Sequence, residues 1–186
     1  MFKHDLGEGA DLRILEPRHA AEFLNFLDHN REHLGTWLDW AQTIQSLEEA
    51  QHFIRRGITR YSEDGLPWVG IWQDGKMAGG ILFFPVERVG NLPLSTEIGY
   101  WLGRKASGRG LMTRAARAML GFVFEELGIN RVQLRAEVGN APSRRVAERL
   151  GFTFEGIRRQ DWVRPHGFVD MACYSLLASD WRASRP

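Results

Sequence analysis

A single cysteine, Cys173, leaves no partner for an internal disulfide and excludes a cysteine-only zinc or iron–sulfur site. That scarcity predicts a reducing, cytoplasmic setting. No stretch approaches the roughly 18 apolar residues of a membrane span, and Met1-Phe2-Lys3-His4-Asp5 lacks the apolar run of a secretory signal, so no membrane partner is expected. Neither charge predominates: 24 Lys and Arg face 23 Asp and Glu, without the strongly basic footprint of a protein that grips nucleic acid. Repeats and low-complexity segments are missing too. What is present is a chain of 186 residues, 44% hydrophobic, that predicts one packed domain over residues 1–186. Its excess lies in 20 glycines and seven tryptophans.

The first third reads as helical after a short strand at Leu12 to Leu15. Glu16-Pro17 opens a helix with Ala20, Phe23, Leu24 and Leu27 on one face. Asp28-His29-Asn30 reads as a break, followed by a second helical piece from Glu32 to Trp40. Ser46-Leu47-Glu48-Glu49 is a capping box that introduces a third helix with Phe53, Ile54 and Ile58. The period then changes. Pro67 to Trp72 and Met77 to Val86 are strand runs joined by the turn signal Asp74-Gly75, and Glu97 to Leu102 follows as a third strand after a loop holding Gly90 and Pro93. A glycine-rich loop from Gly103 to Gly110 leads into a helix from Met112 to Leu127 that stops at Gly128. Arg131 to Ala136 alternates as a strand with one wet face, Asn140-Ala141-Pro142-Ser143 starts another helix, and Phe152 to Phe154 and Val169 to Leu176 complete the sheet. The fold class is α+β, with helices packed on a mixed sheet.

The loop Gly103-Arg104-Lys105-Ala106-Ser107-Gly108-Arg109-Gly110 has P-loop glycine spacing, but Arg109 and Gly110 replace the lysine and the magnesium-binding hydroxyl. As a dinucleotide fingerprint it places Thr113 where the third glycine belongs. What survives is a backbone that can approach an anion at a helix N-terminus, with Arg104, Lys105, Arg109 and Arg114 as nearby cations; the plainer alternative is a solvated surface loop. His29-Asn30-Arg31-Glu32-His33 matches H-x-x-E-H, an inverted zinc peptidase pattern, although no third ligand is evident. Cys173, in an alternating strand, reads as a buried, inert thiol. Trp37 and Trp40 are either packing or acceptor contacts. Glu97 puts a carboxylate at the head of the strand that runs to the glycine loop.

Taken together, Glu97-Ile98-Gly99-Tyr100-Trp101-Leu102, Ser107-Gly108-Arg109-Gly110-Leu111-Met112-Thr113, Asn140-Ala141-Pro142-Ser143 and Leu150-Gly151-Phe152 resemble the GNAT superfamily of acetyl-CoA-dependent N-acetyltransferases. Asn30-Arg31-Glu32-His33-Leu34 through Trp37-Leu38, with Ser46 to Ile54, is similar to its RimJ/RimL branch, which acetylates the N-termini of ribosomal proteins. The resemblance implies a mostly antiparallel central sheet with helices on both faces, splayed at the cofactor site. It implies that Trp101, Leu102 and Gly103 offer backbone groups to the pantetheine arm and an oxyanion donor to the thioester. By the same resemblance Gly108, Arg109, Gly110, Leu111, Met112, Thr113 and Arg114 hold the pyrophosphate, and Asn140 contacts the pantetheine arm.

The resemblance has two departures. The pyrophosphate signature has Ser107 and Met112 at its ends in place of the usual residues, and the superfamily's thiolate-protonating tyrosine is replaced by Ala147. The RimL-like branch uses a serine, which maps to Ser143 as the acid, bound also to the coenzyme; the competing reading of Ser143 is a helix-start hydroxyl. Glu97 is the base implied for the acceptor amine, acting through water, with Asp161 or water alone as the alternatives because Trp162 occupies the slot of the branch's usual carboxylate. Trp37, Trp40, Glu97 and Trp162 are the acceptor-side candidates. The expected partner is an amine, foremost a protein N-terminus, with a homodimer compatible and no metal required. Small amines or antibiotics, a non-catalytic acyl-CoA sensor, and a zinc hydrolase using His29 and His33 are the alternatives.

Overall fold

In a computed structural model, described for residues 3–184, the chain gathers into two compact units. Among the described residues, 3–83 and 100–118 form the first, and 84–99 and 119–184 the second.

Four antiparallel strands build the first unit's sheet: β1 (Lys3–Gly7), β2 (Ala10–Ile14), β3 (Val69–Gln73) and β4 (Lys76–Phe83), joined in that order. The expected turn at Asp74-Gly75 is present, both residues at positive φ. β1 is an addition to the sequence reading, because its polar Lys-His-Asp run carries no alternation while its pairing with β2 is a long-range choice. Three helices follow β2: α1 (Ala20–Gly35), α2 (Trp40–Thr43) and α3 (Leu47–Asp64). α1 corrects the predicted break, since it runs unbroken through Asp28-His29-Asn30. Ser46 and Glu49 form the predicted reciprocal cap of α3, and Gly65 ends it at φ +72°. Ile58 is exposed, contrary to expectation; Gly57 takes the inward place because a Cβ there would lie 2.9 Å from the Trp68 side chain. The unit's core centres on aromatic rings: Phe53 stacks on Phe23 at 5.3 Å and on Trp40 at 5.0 Å, and Trp40 meets Trp101 edge-on at 5.2 Å.

The second unit is built on β6 (Leu92–Leu102), whose last residues belong to the first unit. β5 (Glu87–Val89) folds back on it as a hairpin through Gly90, so the loop expected there is largely paired. β7 (Arg131–Glu137) lies parallel to β6, and β9 (Gly167–Leu177) and β8 (Thr153–Arg164) complete the order β6-β7-β9-β8 by antiparallel pairing. Thus the second unit's sheet is antiparallel except at β6 and β7. Their parallel pairing spans only Ser95–Glu97 against Arg131–Gln133, while β7 continues along β9 to Glu137. β7 buries Val132, Leu134 and Ala136 as its alternation predicted, yet its other face is half-buried rather than wet. Helix α4 (Leu111–Gly121) passes from the first unit into the second and widens to a π-helical turn at Phe122–Glu126. α5 (Ala141–Arg149) and α6 (Ala178–Ala183) complete the unit.

Candidate active site

The glycine-rich loop lies in the first unit. β6 ends at Leu102, residues 104–106 make one 3-10 turn, and α4 begins at Leu111. Gly108 and Gly110 adopt φ +80° and +74°, conformations that L side chains rarely take, and a Cβ at either would meet nothing within 4 Å. Residues 108–110 are therefore an exposed, bare backbone leading into a helix whose first N–H groups have no helical partners. Thr113 Oγ1, in that first turn, is buried without a hydrogen-bond partner. A glycine-lined backbone, unspent N–H groups and an orphan hydroxyl fit a pyrophosphate, the group that the family resemblance implies for the loop ending at Arg114. Arg109 is exposed, whereas Arg114 pairs with Glu8 at 2.8 Å and Leu111 and Met112 point their side chains into the core, leaving backbone alone for a ligand.

At the root of this loop the structure sharpens the expectation for residues 101–103. The Trp101 side chain is 3% exposed and packs against Trp40, so it cannot line a ligand surface; a Cβ on Gly80 would sit 2.3 Å from its ring. The N–H of Gly103 donates to Ala78 O at 2.8 Å, and Leu102 O takes a contact from His33 Nε2 at 3.2 Å. These groups are already engaged, which removes Gly103 N–H as a spare oxyanion donor. Trp37 is half-buried after α1, and Trp40 belongs mainly to the aromatic core. His29 and His33 do share one helix, but His29 Nδ1 lies 2.8 Å from Asn25 O, and no cluster of three or more potential ligands occurs among the described residues.

A cluster of carboxylates and guanidinium groups lies in the second unit. Glu97 lines a pocket of about 400 Å³ together with Phe84, Pro85, Thr96, Gln133, Arg135 and Arg158 among others. Its neighbours are pinned: Phe84 N–H donates to Glu97 O at 2.9 Å, and Thr96 Oγ1 donates to Phe84 O at 2.7 Å. Arg135 Nε donates to Glu97 Oε2 at 2.9 Å, and its Nη1 donates to Asp161 Oδ2 at 3.2 Å. Arg158 holds the other oxygen of Asp161 at 2.8 Å. Burial pushes the Glu97 carboxyl above its ordinary value, outweighing the downward pull of Arg135, and Asp161 adds to the rise. Arg135 is held more firmly protonated by Glu97 and Asp161 in spite of its burial.

Asp161 reaches this group because β8 bulges. Residues 159–161 all stand between the pairs Arg158↔Met171 and Trp162↔Val169, Gln160 takes φ +52°, and its N–H donates to Asp170 Oδ1 at 2.8 Å. Trp162, past the bulge, is 46% exposed and lies outside the pocket lining. Cys173 lies near the same charges, with burial pushing its thiol up, away from a reactive thiolate. Arg135 was missed by sequence reasoning, which placed it on a wet strand face; the signal is an arginine two residues beyond Gln133, the parallel partner of Glu97. Asn140 caps α5 by accepting the Ser143 N–H at 3.2 Å, which fixes Ser143 in the first turn and commits the Asn140 oxygen to the cap.

Residues 11–153 match the acetyltransferase (GNAT) domain family. YdaF of Bacillus subtilis (strain 168), named provisionally as a ribosomal N-acetyltransferase, is 34% identical over the full length of both chains. The chain belongs to the GNAT acetyltransferase family. It is an N-acetyltransferase. The ribosomal-protein-serine acetyltransferase of Escherichia coli (strain K12) is 24% identical over 92% of this chain and 94% of its own. In fold, this N-acetyltransferase superposes on the RimL ribosomal L7/L12 α-N-protein acetyltransferase in complex with coenzyme A with a TM-score of 0.88, at 24% identity over 96% and 99% of the two chains.

Proposed function

We propose that this N-acetyltransferase transfers the acetyl group of acetyl-CoA to the α-amino group of a protein N-terminus, such as the N-terminal serine of a ribosomal protein. The observation that carries the reading is Glu97: a largely buried carboxyl, raised by its surroundings and lining a pocket large enough for the end of a peptide. An amine must lose a proton to become a nucleophile, and a carboxylate shifted towards neutrality is suited to take it directly or through one water. Phe84 and Pro85 give that pocket an apolar wall, suited to the first side chain of a peptide. The names of the relatives support a protein acceptor.

Bound acetyl-CoA supplies the activated acetyl thioester. The bare backbone at residues 108–110 and the first turn of α4 hold the pyrophosphate, with Thr113 Oγ1 as a further donor and Arg109 as a screening cation. Ser143, set in the first turn of α5, gives a proton to the departing thiolate. Nothing in these roles calls on a metal ion.

The test is acetyl-CoA turnover against peptides with a free N-terminal serine or alanine, the same peptides blocked at the N-terminus but carrying lysine, and small amines. Thiol release and peptide mass together give the product. Acetylation of the free N-termini with kcat/KM at least about tenfold above every other acceptor is expected. Turnover confined to small amines would overturn the acceptor, and coenzyme binding with no turnover on any amine would make the protein a sensor.

A further inference from the structure

We infer that Asn30 and His33 of α1 are positioning residues that hold residues 102–104 in the one shape from which the coenzyme loop departs. The two side chains are three apart on an unbroken helix and so emerge on the same face. Asn30 Nδ2 donates to Phe26 O at 2.8 Å, which fixes the amide's orientation and leaves Oδ1 to accept the Arg104 N–H at 3.1 Å. His33 Nε2 faces Leu102 O at 3.2 Å, and because a carbonyl can only accept, that nitrogen is the donor.

Between these anchors Gly103 lies flat on the helix. A Cβ there would be 3.0 Å from both Asn30 Oδ1 and Phe26 Cε2, tighter than packing ordinarily allows. Gly103 N–H donates to Ala78 O, and Gly103 O accepts the Ser107 hydroxyl at 3.0 Å. Four successive polar groups of the loop's root are thus bonded: Leu102 O, Gly103 N, Gly103 O and Arg104 N. Two of the four partners come from α1. Beyond Ser107 the backbone is exposed and glycine-rich, so its placement depends on how firmly the root is held. An asparagine inside a helix lowers its intrinsic stability, which is accounted for here by the bond it makes to another element.

The inference rests on the reading that residues 103–114 bind coenzyme A, so its test separates the two. Coenzyme A affinity is measured by calorimetry for the wild type, Asn30→Ala, His33→Ala and His33→Gln, with melting temperature and amide exchange at Arg104 recorded without ligand. Each alanine variant should weaken coenzyme binding about five- to tenfold, the worth of one hydrogen bond, and Asn30→Ala should speed Arg104 exchange. KM for the acceptor should stay unchanged. His33→Gln keeps an N–H at the end of a comparable side chain and should restore near-normal affinity. Wild-type binding with undiminished binding by both alanine variants would overturn the positioning role alone. So would a loss in His33→Gln equal to that in His33→Ala, because helix perturbation would then explain both. Absence of coenzyme binding by the wild type would overturn the loop reading and this inference with it.

Discussion

Arg135→Met offers the sharpest test of the carboxylate side. Arg135, with a side chain 24% exposed, is shared by Glu97 and Asp161, whose side chains are 19% and 16% exposed. Removing one partner of a fully buried pair costs roughly 3–5 kcal/mol. Here Asp161 retains Arg158 at 2.8 Å and the group is partly solvated, so the cost falls mainly on Glu97 and should be about 2–3 kcal/mol at neutral pH. With a urea m-value of about 2 kcal/mol/M, the unfolding midpoint should drop by about 1–1.5 M. The pH dependence carries a definite sign. Arg135 lowers the Glu97 pKa against burial, so its removal drives that pKa further above the ordinary value of 4.5. A carboxyl raised in the folded state costs stability only when ionised. The cost is absent below the unfolded pKa and grows as pH rises towards the folded one. The variant's deficit should therefore be largest at about pH 7.5 and shrink towards about pH 4. Glu97→Gln/Arg135→Met, which removes both charges, should recover most of the lost stability, and the coupling is read from the double-mutant cycle. In the single variant the acid limb of kcat/KM should move to higher pH, since a base with a raised pKa is deprotonated later. A deficit equally large at both pH values, or an acid limb that stays in place, would refute Glu97 as a buried base under the control of Arg135.

Ser143→Ala should lower kcat by roughly 10²–10⁴ with little loss of coenzyme affinity, and the α5 cap should survive because it uses the Ser143 backbone N–H rather than its hydroxyl; an unchanged kcat in steady-state kinetics would remove Ser143 as the acid. Gly110→Val should weaken coenzyme A binding by about tenfold or more, because valine strains the left-handed backbone, φ +74°, and adds a side chain beside the backbone proposed to hold the pyrophosphate. Gly110→Asn, which tolerates that conformation, should bind several-fold better than the valine variant, and calorimetry that ranks the two equally would count against a conformational cause.

The parts of this fold legible in the sequence are those fixed within a few residues. Ser46 and Glu49 cap α3 reciprocally, Asp74-Gly75 turns β3 into β4, and Asn140 starts α5, each through chemistry confined to its own turn. What was misread depended on partners far along the chain. Asp28-His29-Asn30 resembles a helix end because such side chains compete for the backbone, yet here Asn30 bonds within the helix to Phe26 O and across to Arg104 N. The π-helical turn at 122–126, the short β5 and the two extra residues in β8 leave no periodic trace either. Of the loop, the glycines at 108 and 110 were legible as backbone positions, whereas the inward turn of the Trp101 ring was not, because it is settled by Gly80 leaving room opposite.

The same distinction bears on the choice of base. Glu97 and Asp161 stood in the sequence as alternatives, separated by 63 positions of chain and by a tryptophan in the expected slot. Two long-range facts join them: the parallel register that sets Glu97 opposite Gln133, and the β8 bulge that turns Asp161 inward. Arg135 then bonds both, linking Asp161 to Glu97 through one guanidinium group. Each does a different task. Glu97 faces the pocket, where burial raises its proton affinity; Asp161, held by two guanidinium groups, draws Arg135 partly away and so limits how far the arginine can pull Glu97 back down. Replacing Asp161 would release Arg135 fully to Glu97 and lower the pKa of the proposed base. A change at Asp161 should thus resemble the loss of a base in its rate yet differ in its pH profile, because the acid limb would move towards lower pH rather than disappear.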